Sequence, residues 1–117
     1  MSHVTVGWVL SQVDDLLPNS YTDAQKRHWL LQAECFAALE LGAELPGSLD
    51  DGDELLIGLP YDGLYSRYVE AQIHFANREM ERYNNAMTAW NELFLSWRDY
   101  HGRGGSKAKR AAALKLC

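Results

Sequence analysis

The sequence predicts an all-α fold, and three observations support this class. Apolar residues recur at steps of three and four, the spacing of one face of an α-helix, in each long segment of the chain. Pro18, Gly42 and the glycines of residues 102–105 stand where this periodicity stops. Hydrophobic residues make up 47% of the 117 residues, so the chain can bury one core but is too short for two. We therefore expect one helical domain over residues 1–102 and a flexible basic tail over residues 103–117.

The N-terminal part of the chain predicts a helical hairpin. Thr5 can cap a first helix that Pro18 ends, and Thr22 or Asp23 opens a second helix that stops at Gly42. The Pro-Asn-Ser turn between the two helices is short, so we expect them to lie antiparallel.

Residues 42–60 differ in character and predict a long acidic loop. Glycine and proline punctuate this segment, and the run DDGDE at residues 50–54 places four acids within five positions. Leu55–Ile57 are the candidate for a short strand inside the loop. Three residues are not stable alone in an extended conformation, so they would need a pairing partner, which another chain can supply.

Residues 60–101 predict a long aromatic-rich helix that Asp62 caps. This stretch holds two of the four Trp, five of the six Tyr and two of the three Phe. Between Phe75 and Met80 the apolar stripe takes a step of five residues and so shifts around the helix. A straight helix of this length would reach about 60 Å, which is long for a compact domain of this size. We therefore expect a bend or break between residues 76 and 80, or a helix that projects and packs on another copy.

Charge is unevenly distributed along the chain. Residues 1–97 carry five Lys or Arg against fifteen Asp or Glu, a balance of −10, whereas residues 98–117 carry six against one, a balance of +5. An acidic body argues against a conventional nucleic-acid-binding domain, whose footprint is a basic face. The basic tail is either a solvated end or a contact for DNA or an acidic protein surface, made by Arg103, Lys107, Lys109 and Arg110.

Cysteine usage and hydropathy favour a reducing compartment and no membrane contact. Cys35 lies within a helical pattern and Cys117 is the last residue, so we expect no disulfide framework. The first residues lack the basic and long apolar regions of a signal peptide. No stretch reaches the ~18 to 20 apolar residues that a bilayer-spanning helix needs.

No pattern in the sequence predicts catalysis, a metal site or a cofactor. The glycine-rich run at residues 102–107 lacks the spacing of a phosphate loop and follows a helix rather than a strand. Residues 50–54 lack the spacing and the distal Glu of a calcium loop. The four histidines form no HExxH or paired Cys/His motif, and no Ser, Thr or Cys occupies a nucleophile motif. We therefore expect a protein that is not an enzyme.

The aromatic residues of the long helix are too numerous for two short helices to cover. Uncovered aromatic side chains are favoured at protein interfaces, although a stripe at this spacing is also what a helical core requires. Three asparagines beside the stripe are either surface-facing or bonded to a neighbouring subunit. With the candidate strand, the candidate interface residues are Leu55, Leu56, Ile57, Tyr61, Tyr65, Tyr68, Tyr83, Asn84, Asn85, Trp90, Asn91 and Trp97.

A recognisable motif runs through the same stretch. The block P-Y-D-x-L-Y-x-x-Y-x-E-A-Q-I, from Pro60 to Ile73, is followed by Y-N-N at residues 83–85 and by the pair Trp90–Asn91. In these motifs the chain resembles the siphovirus-type head–tail connector, or head-completion, adaptor proteins of tailed phages. The segment LPNSYTDAQKRHWL at residues 17–30 is similar to the family's first two helices, and the resemblance covers about residues 4–102.

The resemblance implies a structural virion protein without a cofactor. It implies a helical subunit that forms a homo-oligomeric ring, of about a dozen copies, beneath the portal of a DNA-filled capsid. The portal protein would contact one side and a tail completion or stopper protein the other, at the head–tail junction of a virion assembled in the host cytoplasm. DNA would pass through without sequence-specific binding. The acids Asp50, Asp51 and Asp53 would suit a channel along which DNA slides.

The basic C-terminal segment leaves a second class of function open. A small helical nucleic-acid-associated or regulatory protein could use residues 98–117 for electrostatic contacts. Salt-dependent DNA binding that is lost on deletion of residues 103–117 would favour this alternative.

Overall fold

A computed structural model describes residues 3–105 of the protein. Within this range the chain forms four helices and no β-strand, so the predicted all-α class is confirmed. In chain order the helices are α1 (Val6–Leu16), α2 (Asp23–Leu41), α3 (Gly63–Ala76) and α4 (Met80–Gly105).

The ends of α1 and α2 follow the capping residues in the sequence. The Thr5 hydroxyl accepts a hydrogen bond from the Trp8 N–H at 3.2 Å. Thr22, rather than Asp23, caps α2 in a reciprocal capping box with Gln25. Gly42 ends α2 in the left-handed conformation, with φ of 69°, where a residue without Cβ avoids strain.

A buried ammonium group connects α1 with α2. Lys26 of α2 is 7% exposed, and its Nζ lies 2.7 Å from the Asp14 carboxylate of α1. The hydrogen bond from Lys26 lowers the pKa of Asp14, and a further bond from the Asn19 side chain acts in the same direction. This ion pair links the two helices near the turn that joins them.

The predicted long helix is broken rather than bent. Asn77 ends α3, and the Arg78 N–H and Glu79 N–H donate to the carbonyls of Phe75 and His74 at 3.0 and 2.9 Å. These two bonds form a Schellman motif, in which Arg78 adopts the left-handed conformation with φ of 63°. At the other end of α3, Asp62 occupies the N-cap position, but its side chain makes no capping hydrogen bond.

The break lets α4 return alongside α3. Aromatic rings face each other across the two helices from the turn to the far end. The ring pairs are Phe75–Tyr83 at 5.1 Å, Tyr68–Trp90 at 5.4 Å and, from just before α3, Tyr61–Tyr100 at 5.7 Å between centroids.

All four helices and the connection between α2 and α3 contribute to one core. Phe36 of α2 lies beside both Tyr68 of α3 and Trp90 of α4, so α2 contacts each of these helices directly through this ring. The buried apolar cluster consists of Val6, Val9, Leu10, Val13, Leu30, Ala33, Ala37, Leu49, Leu55, Ile57, Leu64, Tyr65, Tyr68, Val69, Ile73, Trp90 and Trp97.

The segment predicted as a short strand is hydrogen-bonded to the residues before α1 in the same chain. Leu55–Ile57 form no strand; instead Thr5 and Glu54 make an isolated antiparallel bridge. The Leu55 N–H donates to the Val4 carbonyl at 2.9 Å. The segment before α1 therefore supplies the pairing that the sequence left open to another chain.

Replacing Arg78 by Gly should raise the free energy of unfolding by about 0.5–1 kcal/mol. A residue with Cβ is strained in the left-handed conformation, whereas Gly is not, and the gain is reduced by the greater freedom of Gly in the unfolded chain. Urea unfolding measures the change. Arg78→Ala, which keeps Cβ, is the matched control, and an equal gain in both variants would contradict the interpretation.

Candidate functional site

The acidic segment of the loop closes the N-terminus of α1. The Val6 N–H donates to the Asp53 carbonyl at 2.9 Å, and the Gly7 N–H donates to the Asp51 carbonyl at 3.0 Å. These are first-turn donors that have no partner within their own helix. Gly7 permits this approach, because a Cβ there would lie 3.3 Å from Asp51. The acids of the segment also stand at the positive end of the α1 dipole.

A buried carboxylate anchors the following residues of the loop. Glu34 of α2 is 4% exposed and accepts hydrogen bonds from the Leu56 N–H at 2.9 Å and from the Tyr65 hydroxyl at 2.6 Å. The Tyr65 hydroxyl in turn accepts from the Ile57 N–H at 2.9 Å. The three side-chain oxygens thus hold the backbone of two successive loop residues.

Burial sets the protonation of this network. Loss of solvent raises the pKa of Glu34, although the bonds from Tyr65 and Leu56 and the nearby His3 oppose the rise. Burial also raises the pKa of Tyr65, and the neighbouring Glu34 carboxylate adds to that effect. Tyr65 is therefore a neutral hydrogen-bond donor at physiological pH.

Two of the three predicted channel acids make contacts within the chain. All three are exposed, but Asp51 forms an ion pair with Arg27 at 2.5 Å, and the Asp53 carboxylate accepts from the Asp50 N–H at 2.8 Å. Arg27 also donates to the Leu49 carbonyl at 3.2 Å. These contacts hold the acidic segment against α2. A role in a channel stays a prediction.

Half of the predicted interface residues are core residues. For the four aromatic residues among them, the expectation that their surface would lie uncovered in one chain is wrong, because the helix breaks and α3 and α4 cover each other. The two loop residues among them are buried in the same core. The residues concerned are Leu55, Ile57, Tyr65, Tyr68, Trp90 and Trp97, all less than 9% exposed. The others keep access to solvent, and they are Leu56, Tyr61, Tyr83, Asn84, Asn85 and Asn91.

Two of these accessible residues meet in an apolar groove. Leu56 and Tyr61 line a cavity of about 190 Å³, together with Leu59 and Tyr100, which are 49% and 51% exposed. The buried Trp97 forms part of its wall. The remaining lining residues of this apolar groove are His3, Leu41, Gly58 and His101. Leu59 could not be predicted as a groove residue from the sequence, because its position beside Tyr100 depends on the return of α4 along α3.

A second cavity is polar and lies between α3 and α4. It has a volume of about 280 Å³ and is lined by one arginine from each helix, so we call it the arginine groove. Its lining residues are Arg67, Glu70, His74, Arg82, Asn85, Ala86 and Ala89. Asn85 is the member that the sequence analysis named. The other two predicted asparagines, Asn84 and Asn91, lie in a shallow depression beside Trp90.

The described residues include only part of the predicted tail contacts. Arg103 belongs to the last turn of α4, while Lys107, Lys109 and Arg110 lie outside the described residues. Within residues 3–105, no three His, Cys, Asp or Glu side chains are grouped so that they could hold a metal ion. In the same range, none of the helices combines the length and apolar character that crossing a membrane requires.

Comparison with protein-family models, curated proteins and solved structures returned no match for this chain. The resemblance to phage head–tail connectors therefore stays a prediction from the sequence motifs of residues 60–91 and the N-terminal segment.

Replacing Tyr65 by Phe should lower the free energy of unfolding by about 2–4 kcal/mol. The change leaves the buried Ile57 N–H without an acceptor and removes one donor from Glu34. Urea unfolding measures the loss, and faster hydrogen exchange of the Leu56 and Ile57 amides would localise it. Tyr83→Phe is the control, because the Tyr83 hydroxyl makes no hydrogen bond within the described residues. Similar losses in both variants would contradict the role of the network.

The stability difference between the wild-type protein and Glu34→Gln should depend on pH. The folded state raises the pKa of Glu34 above the unfolded value of about 4.3, so folding favours the protonated form. Its contribution is fully present below the unfolded pKa and is lost as the pH rises through the folded pKa. Wild-type stability should therefore fall relative to Glu34→Gln in urea unfolding as the pH rises above the unfolded pKa of about 4.3. A constant difference would show that the carboxyl titrates normally.

Proposed function

We propose that this protein is a structural adaptor, a head–tail connector or head-completion subunit of a tailed phage. In this proposal, copies of the chain form a ring beneath the portal and join the DNA-filled capsid to the tail at the head–tail junction. The ring binds the portal protein on one side and a tail completion or stopper protein on the other. The subunit acts by binding and carries out no chemical reaction.

The apolar groove is the observation that carries the proposal. Leu59 and Tyr100 are half exposed beside Leu56 and Tyr61, although the core is already filled by other residues of the chain. Apolar and aromatic side chains grouped around a depression are typical of surfaces that another protein covers. A side chain of a partner could enter the groove and remove these residues from water.

The polar network of the site supports a scaffold rather than a catalytic centre. Glu34 and Tyr65 are the titratable groups with raised pKa that lie deepest in the fold. Their oxygens are bonded to each other and to the backbone of Leu56 and Ile57. They fix the loop that forms one wall of the groove, and so they support its shape.

The acidic surface supports passage of DNA without tight binding. Residues 1–97 carry a balance of −10, and the acids of the 50–54 segment are exposed at the N-terminus of α1. A channel wall with this charge repels the phosphate groups of DNA, so DNA would slide along the wall without binding tightly to it.

Co-sedimentation with portal-bearing, DNA-filled capsids that lack this protein tests the proposal. The wild-type chain should bind these capsids and should not bind capsids without a portal. Leu59→Asp should weaken binding about tenfold or more, because it places a charge in the interface core. Leu45→Asp is the matched control, since Leu45 is also a loop residue and is equally exposed, at 49%, but lies outside the groove.

Absence of wild-type binding would overturn the adaptor proposal. If the isolated protein instead bound DNA in a salt-dependent way, and deletion of residues 103–117 abolished this, the nucleic-acid-associated alternative would replace it.

A further inference from the structure

The arginine groove presents donors that the chain does not use. Arg82 and Asn85 make no side-chain hydrogen bond or ion pair within the described residues. Arg67 has only a distant contact, with its Nη1 3.9 Å from a Glu70 oxygen. His74 is already occupied, because its Nδ1 lies 2.8 Å from Glu79. Arg67, Arg82 and Asn85 therefore bring to the lining of the cavity N–H donors that make no hydrogen bond within the described residues.

The size and charge of the groove fit carboxylates. Ala86 and Ala89 on α4 are small, and the cavity between them and α3 has room for about 280 Å³. Arg67 and Arg82 contribute two positive charges, and of the two carboxylates nearby, Glu70 is largely buried and Glu79 is bonded to His74. Guanidinium groups bind carboxylates through paired N–H donors, and this geometry gives both strength and orientation.

The acidic segment, residues 50–54, has the complementary chemistry. Asp50 and Glu54 are exposed, and neither carboxylate forms an ion pair within the described part of the chain. The backbone of the segment is fixed by its bonds to α1, and Asp51 is held by Arg27. A segment that is ordered before binding loses little conformational entropy on association.

We propose that the arginine groove of one copy receives the acidic segment of a second copy. The segment is bonded to α1 and Arg27 in its own chain, so the carboxylates that enter the groove come from another molecule. The two surfaces share no residue, and a contact between different surfaces repeats head to tail and can close into a ring. This inference rests on the ring of the proposed function and names its subunit contact.

DNA is a weaker candidate for the same groove. The body of the chain carries a balance of −10 over residues 1–97, which opposes approach of a polyanion. A short acidic segment of a neighbouring subunit brings far fewer charges and is present at every position of a ring.

Disulfide trapping tests the contact in the full-length chain. Cys35→Ser and Cys117→Ser remove the native thiols, and Gly52→Cys and Ala86→Cys place one thiol in each surface. Gly52 accepts the change because a Cβ there meets no atom within 4 Å. Mild oxidation at low ionic strength should give a ladder of dimers, trimers and larger species. Each single-cysteine variant should give dimers at most, since one thiol per chain cannot extend a ladder.

Charge reversal tests whether the contact is electrostatic. Arg67→Glu with Arg82→Glu should reduce the ladder about tenfold, and so should Asp50→Lys with Glu54→Lys, because each places like charges together. A mixture of the two reversed proteins should restore the ladder, since opposite charges then meet again at every contact. Circular dichroism and thermal unfolding of each variant check that the fold is retained.

The outcomes separate this inference from the proposed function. If the wild-type chain binds portal-bearing capsids but the Gly52→Cys, Ala86→Cys variant gives no ladder, or dimers only, the head-to-tail contact is wrong and the adaptor proposal stands. A ladder that charge reversal leaves unchanged overturns the role of the arginine groove. Salt-dependent DNA binding that Arg67→Glu with Arg82→Glu abolishes, without any ladder, would assign the groove to phosphates instead.

Discussion

The hydrogen-bonded carboxylate of Glu34 is the constraint on which the rest of the structure depends. It lies on α2, it receives the hydroxyl of Tyr65 from α3, and it receives a backbone N–H from the loop. Without this acceptor, the Leu56 N–H and the buried Tyr65 hydroxyl, which holds the Ile57 N–H, would lose their partner, and the loop would lie less stably against the core. One side chain thus fixes the relative position of two helices and of the segment between them. Leu56 of this segment lines the apolar groove, so the shape of that groove depends on the same contact.

Much of the fold could be predicted because local sequence patterns determine it. The spacing of apolar residues gave the helices, and Thr5, Thr22 and Gly42 marked their ends. The five-residue step after Phe75 predicted a discontinuity but could not distinguish a bend from a break. The break depends on Arg78, which adopts a left-handed conformation that arginine rarely adopts and that the sequence therefore does not predict. The sequence pattern therefore did not predict the return of α4 along α3.

The candidate site was harder to predict, because exposure is a property of the assembled fold. Tyr61 and Tyr65 belong to the same aromatic stretch, yet Tyr65 is buried and Tyr61 lines a groove. In the loop, Leu55 and Ile57 face the core while Leu56, between them, is exposed. Only the partner helices decide which members of such a set are covered. The position of Arg67 and Arg82 at one cavity likewise requires the turn at residues 77–79, since the two residues lie on different helices.

The close approach of Gly7 to Asp51 has a consequence for how the protein folds. The first turn of α1 is completed by carbonyl groups that lie far along the chain, beyond the whole of α2. Such contacts form only after the intervening chain has closed on itself, and the entropy of that closure must be overcome first. The Thr22 capping box and the turns of α2 involve neighbours in sequence and carry no such requirement. We therefore expect ordering of the first turn of α1 to be coupled to docking of the acidic loop and to follow the formation of α2.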